Sequence, residues 1–329
     1  LFRSIYLEIK KMTEAAMLSA AFVVLSVIFI GTGMGYLGYI DFIVPVLIAV
    51  IYLRCGFRYT ILSSITSLML IVFAIGDLAS AIFMSQSMIF GIICAFLVSK
   101  KESILDDLFY GSILSFIVMI FIDFNFSKIT GQSIIKGIES ELSYVAILGE
   151  EVKNAIFYLS IISLPIGTMM LTYIFTLFLG KKFRFLDEVS NKKYIMIRNF
   201  KRYGSLISCS RKSIFIGIIG ILTGISFLNI RFIKPIAYCR IFIKSTVYVM
   251  LFFLIQDSIS LINKTVYSLS HSRVNTLVVQ LILLFSLVKF FKISSITLIV
   301  CNLFIDKVFT IRKRQNEFLE KYLKIEGGI

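Results

Sequence analysis

The stretch "TEAAMLSAAFVVLSVIFIGTGMGYLGYID", Thr13 to Asp41, decides the class of fold. No charge interrupts it from Ala15 to Ile30, Lys10 and Lys11 stand just ahead of it, and a run of that length followed by further apolar runs reads as an uncleaved first transmembrane helix rather than a signal peptide. Ala16 and Ala20, and likewise Ala15 and Ser19, lie four residues apart, so two small-residue faces allow a neighbouring helix to approach closely. The spacing does not say whether that neighbour belongs to this chain or to another subunit. Gly31, Gly33, Gly35 and Gly38 then free the backbone from helical geometry and predict a mobile connection ending at Asp41.

The rest of the chain repeats the pattern. Of its 329 residues 58% are hydrophobic and 16% charged, with mean hydropathy +0.93, outside the range of soluble domains. Windows of apolar residues predict an all-α transmembrane bundle of about ten spans, with eight to ten as the range. They cover approximately 14–30, 40–53, 59–75, 78–98, 105–122, 155–179, 214–229, 246–262, 276–288 and 294–309. A net charge of +15 invites a nucleic-acid reading, but the cations sit in short clusters between apolar runs, as in membrane proteins, so no nucleic-acid partner is expected. An N-terminus inside places 25 of the 34 Lys and Arg on the inner side, which predicts an even number of spans with both termini cytoplasmic.

Three regions follow: a six-helix membrane module over 1–180, a basic cytoplasmic linker over 181–213, and a second membrane module of about four spans with a basic tail over 214–329. The linker carries ten Lys and Arg from Lys181 to Lys212 and is read as a solvated, membrane-facing loop, with a docking site for a cytoplasmic protein as the alternative. The segment "RFIKPIAYCRIFIK", Arg231 to Lys244, resembles an interfacial helix. Ile134, Ile135, Ile138 and Leu142 predict a short amphipathic helix, a lid or a plain surface helix, in the outer connection 123–151.

Few residues offer chemistry. The five cysteines have no paired spacing, so neither a disulfide nor a metal site is supported, and no cofactor is expected. A single His271, in a loop, and the absence of a "GxxxxGK[ST]" motif make an enzyme the weakest class and leave any ATP hydrolysis to another subunit. Ionisable residues inside spans each cost about 2.5 to 3.5 kcal/mol and need partners. Asp257 is the deepest, beside Gln256 and Ser258; Asn302 and Asp306 share a helix face, and pairing of Asp306 with an Arg such as Arg312 is preferred to a proton relay. Gln86, flanked by Ser85 and Ser87, gives the fourth span a polar band that serves either helix packing or a ligand. Asp41, Asp77 and Asp123 stand at the predicted outer ends of spans, where they are interfacial carboxylates or, with Gln86, contacts for a small molecule.

The segments "KKMTEAAMLSAAFVVLSVI", "LRCGFRYTILSSI", "LFFLIQDSISLINKTV" and "LIVCNLFIDKVFTIRKR", in that order, make the chain resemble the YybS-type family of bacterial polytopic membrane proteins over most of its length. More distantly, the first six spans are similar to the S component of energy-coupling-factor vitamin transporters. That similarity implies a bacterial inner or plasma membrane, an Ala16–Ala20 face against a membrane coupling subunit, and the 31–41 loop closing over a vitamin or similar ligand. The four further spans and the basic linker depart from the S-component pattern. Two functions remain in competition: a transporter-like small-molecule binding subunit without its own ATPase, and a non-transporting scaffold or regulatory protein acting through the basic segments.

Overall fold

The computed structural model describes residues 2–33, 38–131, 133–144, 150–204, 207–230, 237–270, 272–309 and 312. Met34 to Leu37 of the glycine-rich loop, the start of the proposed interfacial helix (231–236), His271 and most of the basic tail lie outside them. The described residues form helices and no strand: α1 (Phe2–Gly31), a π-helical turn (Tyr39–Ile43), α2 (Val44–Cys55), α3 (Phe57–Ile75), α4 (Leu78–Val98), α5 (Ile104–Thr130), α6 (Ile134–Ser143), α7 (Glu150–Lys182), α8 (Glu188–Arg198), α9 (Phe200–Tyr203), α10 (Arg211–Leu228), α11 (Ala237–Ser270), α12 (Arg273–Lys289) and α13 (Phe291–Phe309). Seven of them, α1, α3, α4, α5, α7, α10 and α11, contain stretches long and apolar enough to cross a bilayer, so the chain is a multi-pass membrane protein. The second, ninth and tenth apolar windows fall on α2, α12 and α13, which are not among the seven.

The chain divides into two compact units, one of Leu1–Lys101 with Tyr110–Tyr194, the other of Glu102–Phe109 with Ile195–Ile329. The boundary therefore falls inside α8 and not at either end of the basic stretch, and the first residues of α5 belong to the second unit.

In the first unit α1 turns Ala15, Ser19, Phe22, Ser26 and Ile30 inward at helical spacing. Ser19 hydrogen-bonds Ser67 of α3 at 2.8 Å, Ser26 meets the Tyr39 hydroxyl at 2.8 Å, and Phe29 stacks on Tyr39 with ring centroids 4.5 Å apart. Of the two small-residue faces read from the sequence, the Ala15–Ser19 face packs within the chain, while Ala16 and Ala20 are exposed. The second apolar window is shared between a π-helical turn and an α2 of 12 residues, about 18 Å long, that continues it. Eight of those residues are buried. This helix lies so close to α4 that a Cβ on Gly91 would overlap the Pro45 carbonyl, so only glycine permits the crossing.

The basic stretch is more structured than a solvated loop. Arg184 takes a left-handed φ of 61°, and Asp187 accepts from the Ser190 amide at 2.8 Å to start α8. One turn into that helix Lys193 is 2% exposed, its ammonium donating to the carbonyls of Leu97 (3.0 Å), Val98 (3.1 Å) and Lys100 (2.5 Å), with Ser190 adding a bond to Val98. The open carbonyls at the end of α4 require such a donor, and a cation suits the negative end of the helix dipole.

In the second unit α10 presents Gly217, Gly220 and Gly224 to Leu254, Met250 and Val247 of α11, and added Cβ atoms at Gly220 and Gly224 would overlap those side chains. Helix α11 runs 34 residues, about 51 Å, because no Pro or Gly interrupts it after Ala237; residues 237–244, read from sequence as part of an interfacial helix, are its first two turns.

Candidate functional site

The most highly organised polar cluster lies in the second unit and is built around residues 207–210, an extended segment that enters α10. Ser210 caps that helix, its hydroxyl accepting from the Ser213 amide at 3.3 Å. The backbone of the segment is held by charged side chains: the Cys209 amide donates to Asp257 at 2.8 Å, the Ser210 amide to Asp106 of α5 at 2.9 Å, and the carbonyls of Cys209 and Ile207 accept from Arg312 at 2.9 Å and Lys264 at 3.3 Å. An extended segment has no helical partners for these groups, so a buried one must find side chains.

Arg312 is the hub. Its guanidinium pairs with Asp257, sits 3.2 Å from Asp306 and donates to the Asn302 amide oxygen at 2.8 Å. Asn302 turns its NH2 to Asp257 and to Ser258, both at 3.0 Å, and Arg211 reaches Asp306 at 2.6 Å. Asp257 is fully buried, and Asn302, Asp306 and Arg312 are each exposed by no more than 6%. Three carboxylates, Asp106, Asp257 and Asp306, thus face three cations, Arg211, Lys264 and Arg312, and the local charge balances. At these depths a balanced, multiply bonded set is the arrangement that offsets desolvation. The Cys209 thiol in its midst is pushed well above the ordinary cysteine range, chiefly by burial and then by Asp257 and Asp106, and stays protonated. The cluster is equipped to hold α5, α10, α11 and α13 together.

The sequence singled out Asp257, Asn302 and Asp306, and the structure brings all three together with Arg312. It turns Gln256 to the exposed side of α11. Asp106, Lys264, Arg211 and the Cys209 backbone were not read as members; they come from 48 to 104 residues away, and no spacing rule reports such partners.

The four residues read as ligand contacts lie in the first unit and have separate roles. Asp77 caps α4, accepting from the Ala79 and Ser80 amides at 3.0 and 3.3 Å. Asp123, near the end of α5, accepts from the Ser133 hydroxyl at 2.9 Å and the Ile134 amide at 2.6 Å, and so fastens the start of α6. Helix α6 has the amphipathic character its sequence predicts, with Ile135 buried and Lys136, Glu139 and Glu141 exposed. Asp41 is exposed on the π-helical turn. Gln86 is buried like Asp123, 6% and 4% exposed, but its carbonyl oxygen has no protein partner among the described residues.

Comparison with protein-family models, with curated proteins and with solved structures gives no match.

Proposed function

We propose that the protein is a transporter-like membrane subunit that binds a small molecule, of the size and polarity of a vitamin, within its first unit and has no ATPase of its own. The observation that carries this reading is Gln86: a primary amide buried in a transmembrane helix with an unanswered carbonyl oxygen, where packing alone would favour an apolar residue. One turn away on the same side of α4 lie Phe83 and the buried Phe90, apolar surface beside one polar contact, which is the usual make-up of a ligand site. The likeness of the opening segments to S components points the same way, as does the exposed Ala16–Ala20 face, free to meet a coupling subunit. On this reading the chain makes about ten crossings of a bacterial plasma membrane, with both termini and the basic stretch in the cytoplasm.

The test is thermal unfolding of the purified full chain against a panel of water-soluble vitamins and related metabolites. A true ligand at about 100 times its dissociation constant adds about 2.7 kcal/mol. It is expected to raise Tm in the parent chain and to lose that effect in Gln86→Leu. A panel without any shift, from a preparation carrying no bound small molecule by mass spectrometry, rejects the proposal.

A further inference from the structure

Helix α7 ends in a turn that usually calls for glycine. The Arg184 amide donates to the Lys181 carbonyl at 3.2 Å and the Phe185 amide to the Gly180 carbonyl at 2.8 Å, the paired bonds that close a helix around a left-handed residue. That residue is Arg184, at φ 61°, the one non-glycine residue with positive φ among the described residues. Any side chain is disfavoured in this conformation, and Arg lacks the short polar group that eases it for Asn. Strain kept at one position directs attention to the work of its side chain. Arg184 is exposed, and among the described residues no side chain pairs with it.

The turn stands where several helix ends of the first unit meet. Arg54, at the end of α2, lies over the Phe185 ring at 4.5 Å, and a Cβ on Gly180 would overlap Leu186 and come within 3.6 Å of Leu53. Gly56 alone separates α2 from α3, so Arg58 follows Arg54 by four residues. Beyond the turn, Lys193 of α8 binds the carbonyls of Leu97, Val98 and Lys100 at the end of α4. Of the cations gathered here, Arg54 is answered by Glu14 and Lys193 by those carbonyls. Arg58, Lys182 and Arg184 are exposed, with no carboxylate partner among the described residues.

These three also share a depth. The apolar spans run Phe57–Ile75 and Lys153–Lys182, so Arg58 and Lys182 sit at span ends and Arg184 two residues beyond one. The headgroup layer outside the hydrocarbon is about 5–7 Å thick, and long basic side chains extend into it from a span end. Phe183, 52% exposed and stacked on Phe185 with centroids 5.7 Å apart, sets an aromatic ring at the same level. Cations interleaved with an exposed ring match a layer of phosphates over acyl chains. The bilayer is the anionic surface that a span end must meet at that depth, which favours it over a soluble acidic partner.

We propose that this end of the first unit is a docking surface for anionic phospholipid headgroups, with Arg58, Lys182 and Arg184 as phosphate contacts and Phe183 seated among the upper acyl chains. The proposal does not depend on the small-molecule reading.

Thermal unfolding of the purified full chain in a neutral detergent, titrated with phosphatidylglycerol or with phosphatidylcholine, tests it. Phosphatidylglycerol is expected to raise Tm at ~10-fold lower concentration than phosphatidylcholine, and high salt should shrink that preference. A cation near anionic lipid contributes a factor of about 5 in affinity, so Arg184→Gly and Lys182→Gln should each weaken the apparent affinity ~5-fold. Combining both with Arg58→Gln should weaken it on the order of 100-fold. Arg184→Gly separates lipid contact from a structural role, because it also relaxes the turn: its Tm in detergent alone should equal or exceed the parent's while its lipid response falls. Lys128→Gln and Lys136→Gln, exposed cations of α5 and α6, should keep the parent's affinity. Equal responses to the two lipids, parent-like lipid affinity in Arg184→Gly, or a loss in the α5 and α6 variants as large as in Lys182→Gln overturns the proposal. Inorganic phosphate is the remaining probe: stabilisation at the concentrations where phosphatidylglycerol acts would identify a free-anion site and overturn the lipid surface.

Discussion

The two units differ in the polar groups they gather inside. In the second, charges are taken deep into the protein and each meets a partner: Arg312 with Asp257, Asp306 and Asn302, Asp106 and Asp257 with the amides of residues 210 and 209. In the first, no charged residue occurs from Tyr110 to Ile122 or through most of α7; Asp123 and Lys193 are buried with their partners, and the neutral Gln86 carbonyl oxygen and hydroxyls of Ser112, Ser115, Thr172 and Thr176 are buried with no protein partner among the described residues. A closed network of charges fixes one arrangement and resists change; a set of open, neutral groups has capacity for something else. Under the proposed function, the contrast gives structural integrity to one region and recognition to the other.

The sharpest way to break that contrast is to open the closed network. Arg312→Ala removes the one side chain among the described residues that touches Asp257, Asp306, Asn302 and the Cys209 carbonyl together, and leaves Asp257 buried without that cation. Loss of one member of a buried pair typically destabilises by about 3–5 kcal/mol, so a large fall in Tm is expected in detergent. Arg312→Met combined with Asp257→Leu should recover much of the loss, because an apolar pair does not need the network. If the single variant unfolded like the parent, the cluster would not be structural, and a transport role for its carboxylates would have to be reconsidered.

Much of this was legible in the sequence, for identifiable reasons. Each of the ten apolar windows falls on a helix, since hydrocarbon demands runs of apolar residues and local composition records the demand. Asp257, Asn302 and Asp306 stood out because a charge or amide among apolar residues is expensive wherever it points, and Arg312 was within local reach of Asp306. What failed to register was long-range or conformational. The π-helical turn at Tyr39–Ile43 that leads into α2 lies in a stretch with no Pro and no Gly of its own. Lys193 looked like one more cation of a solvated linker, because nothing in its neighbourhood announces the carbonyls of Leu97, Val98 and Lys100, more than ninety residues earlier. Gly217, Gly220 and Gly224 did carry a signal, a small-residue face like that of α1, and it is the one overlooked feature that spacing alone would have found.

Lys193 offers the next largest effect, and it asks whether the first unit tolerates any buried charge. Its ammonium donates to three carbonyls, whose dipoles stabilise the charge. Lys193→Met keeps the length of the stem and deletes the donors. Hydrogen bonds to charged groups contribute about 1.5–3 kcal/mol, and a loss in that range is expected, with hydrogen exchange quickening at the amides of α8 while α10 to α13 keep their protection. Destabilisation spread equally over both units would show that the division into a charged and an uncharged region has no energetic counterpart.

The smallest effect belongs to the pair that most resembles the second unit's chemistry. Arg54 grips Glu14 with two bonds, 2.7 and 2.8 Å, in the bidentate geometry that makes Arg–carboxylate contacts strong, yet the side chains remain 36% and 25% exposed. Geometry alone would rank it beside the Arg312 cluster; exposure says otherwise, because solvent screens the attraction and rehydrates whichever partner is left. Exposed pairs contribute about 0.2–1 kcal/mol, so Glu14→Gln should lower Tm only slightly, and a double-mutant cycle with Arg54→Met should return a coupling within that range. The same cycle on Arg312 and Asp257 should return several times as much. Were the two couplings equal, burial would not be what separates the closed network from an ordinary surface pair, and the contrast between the two units would reduce to a difference in composition.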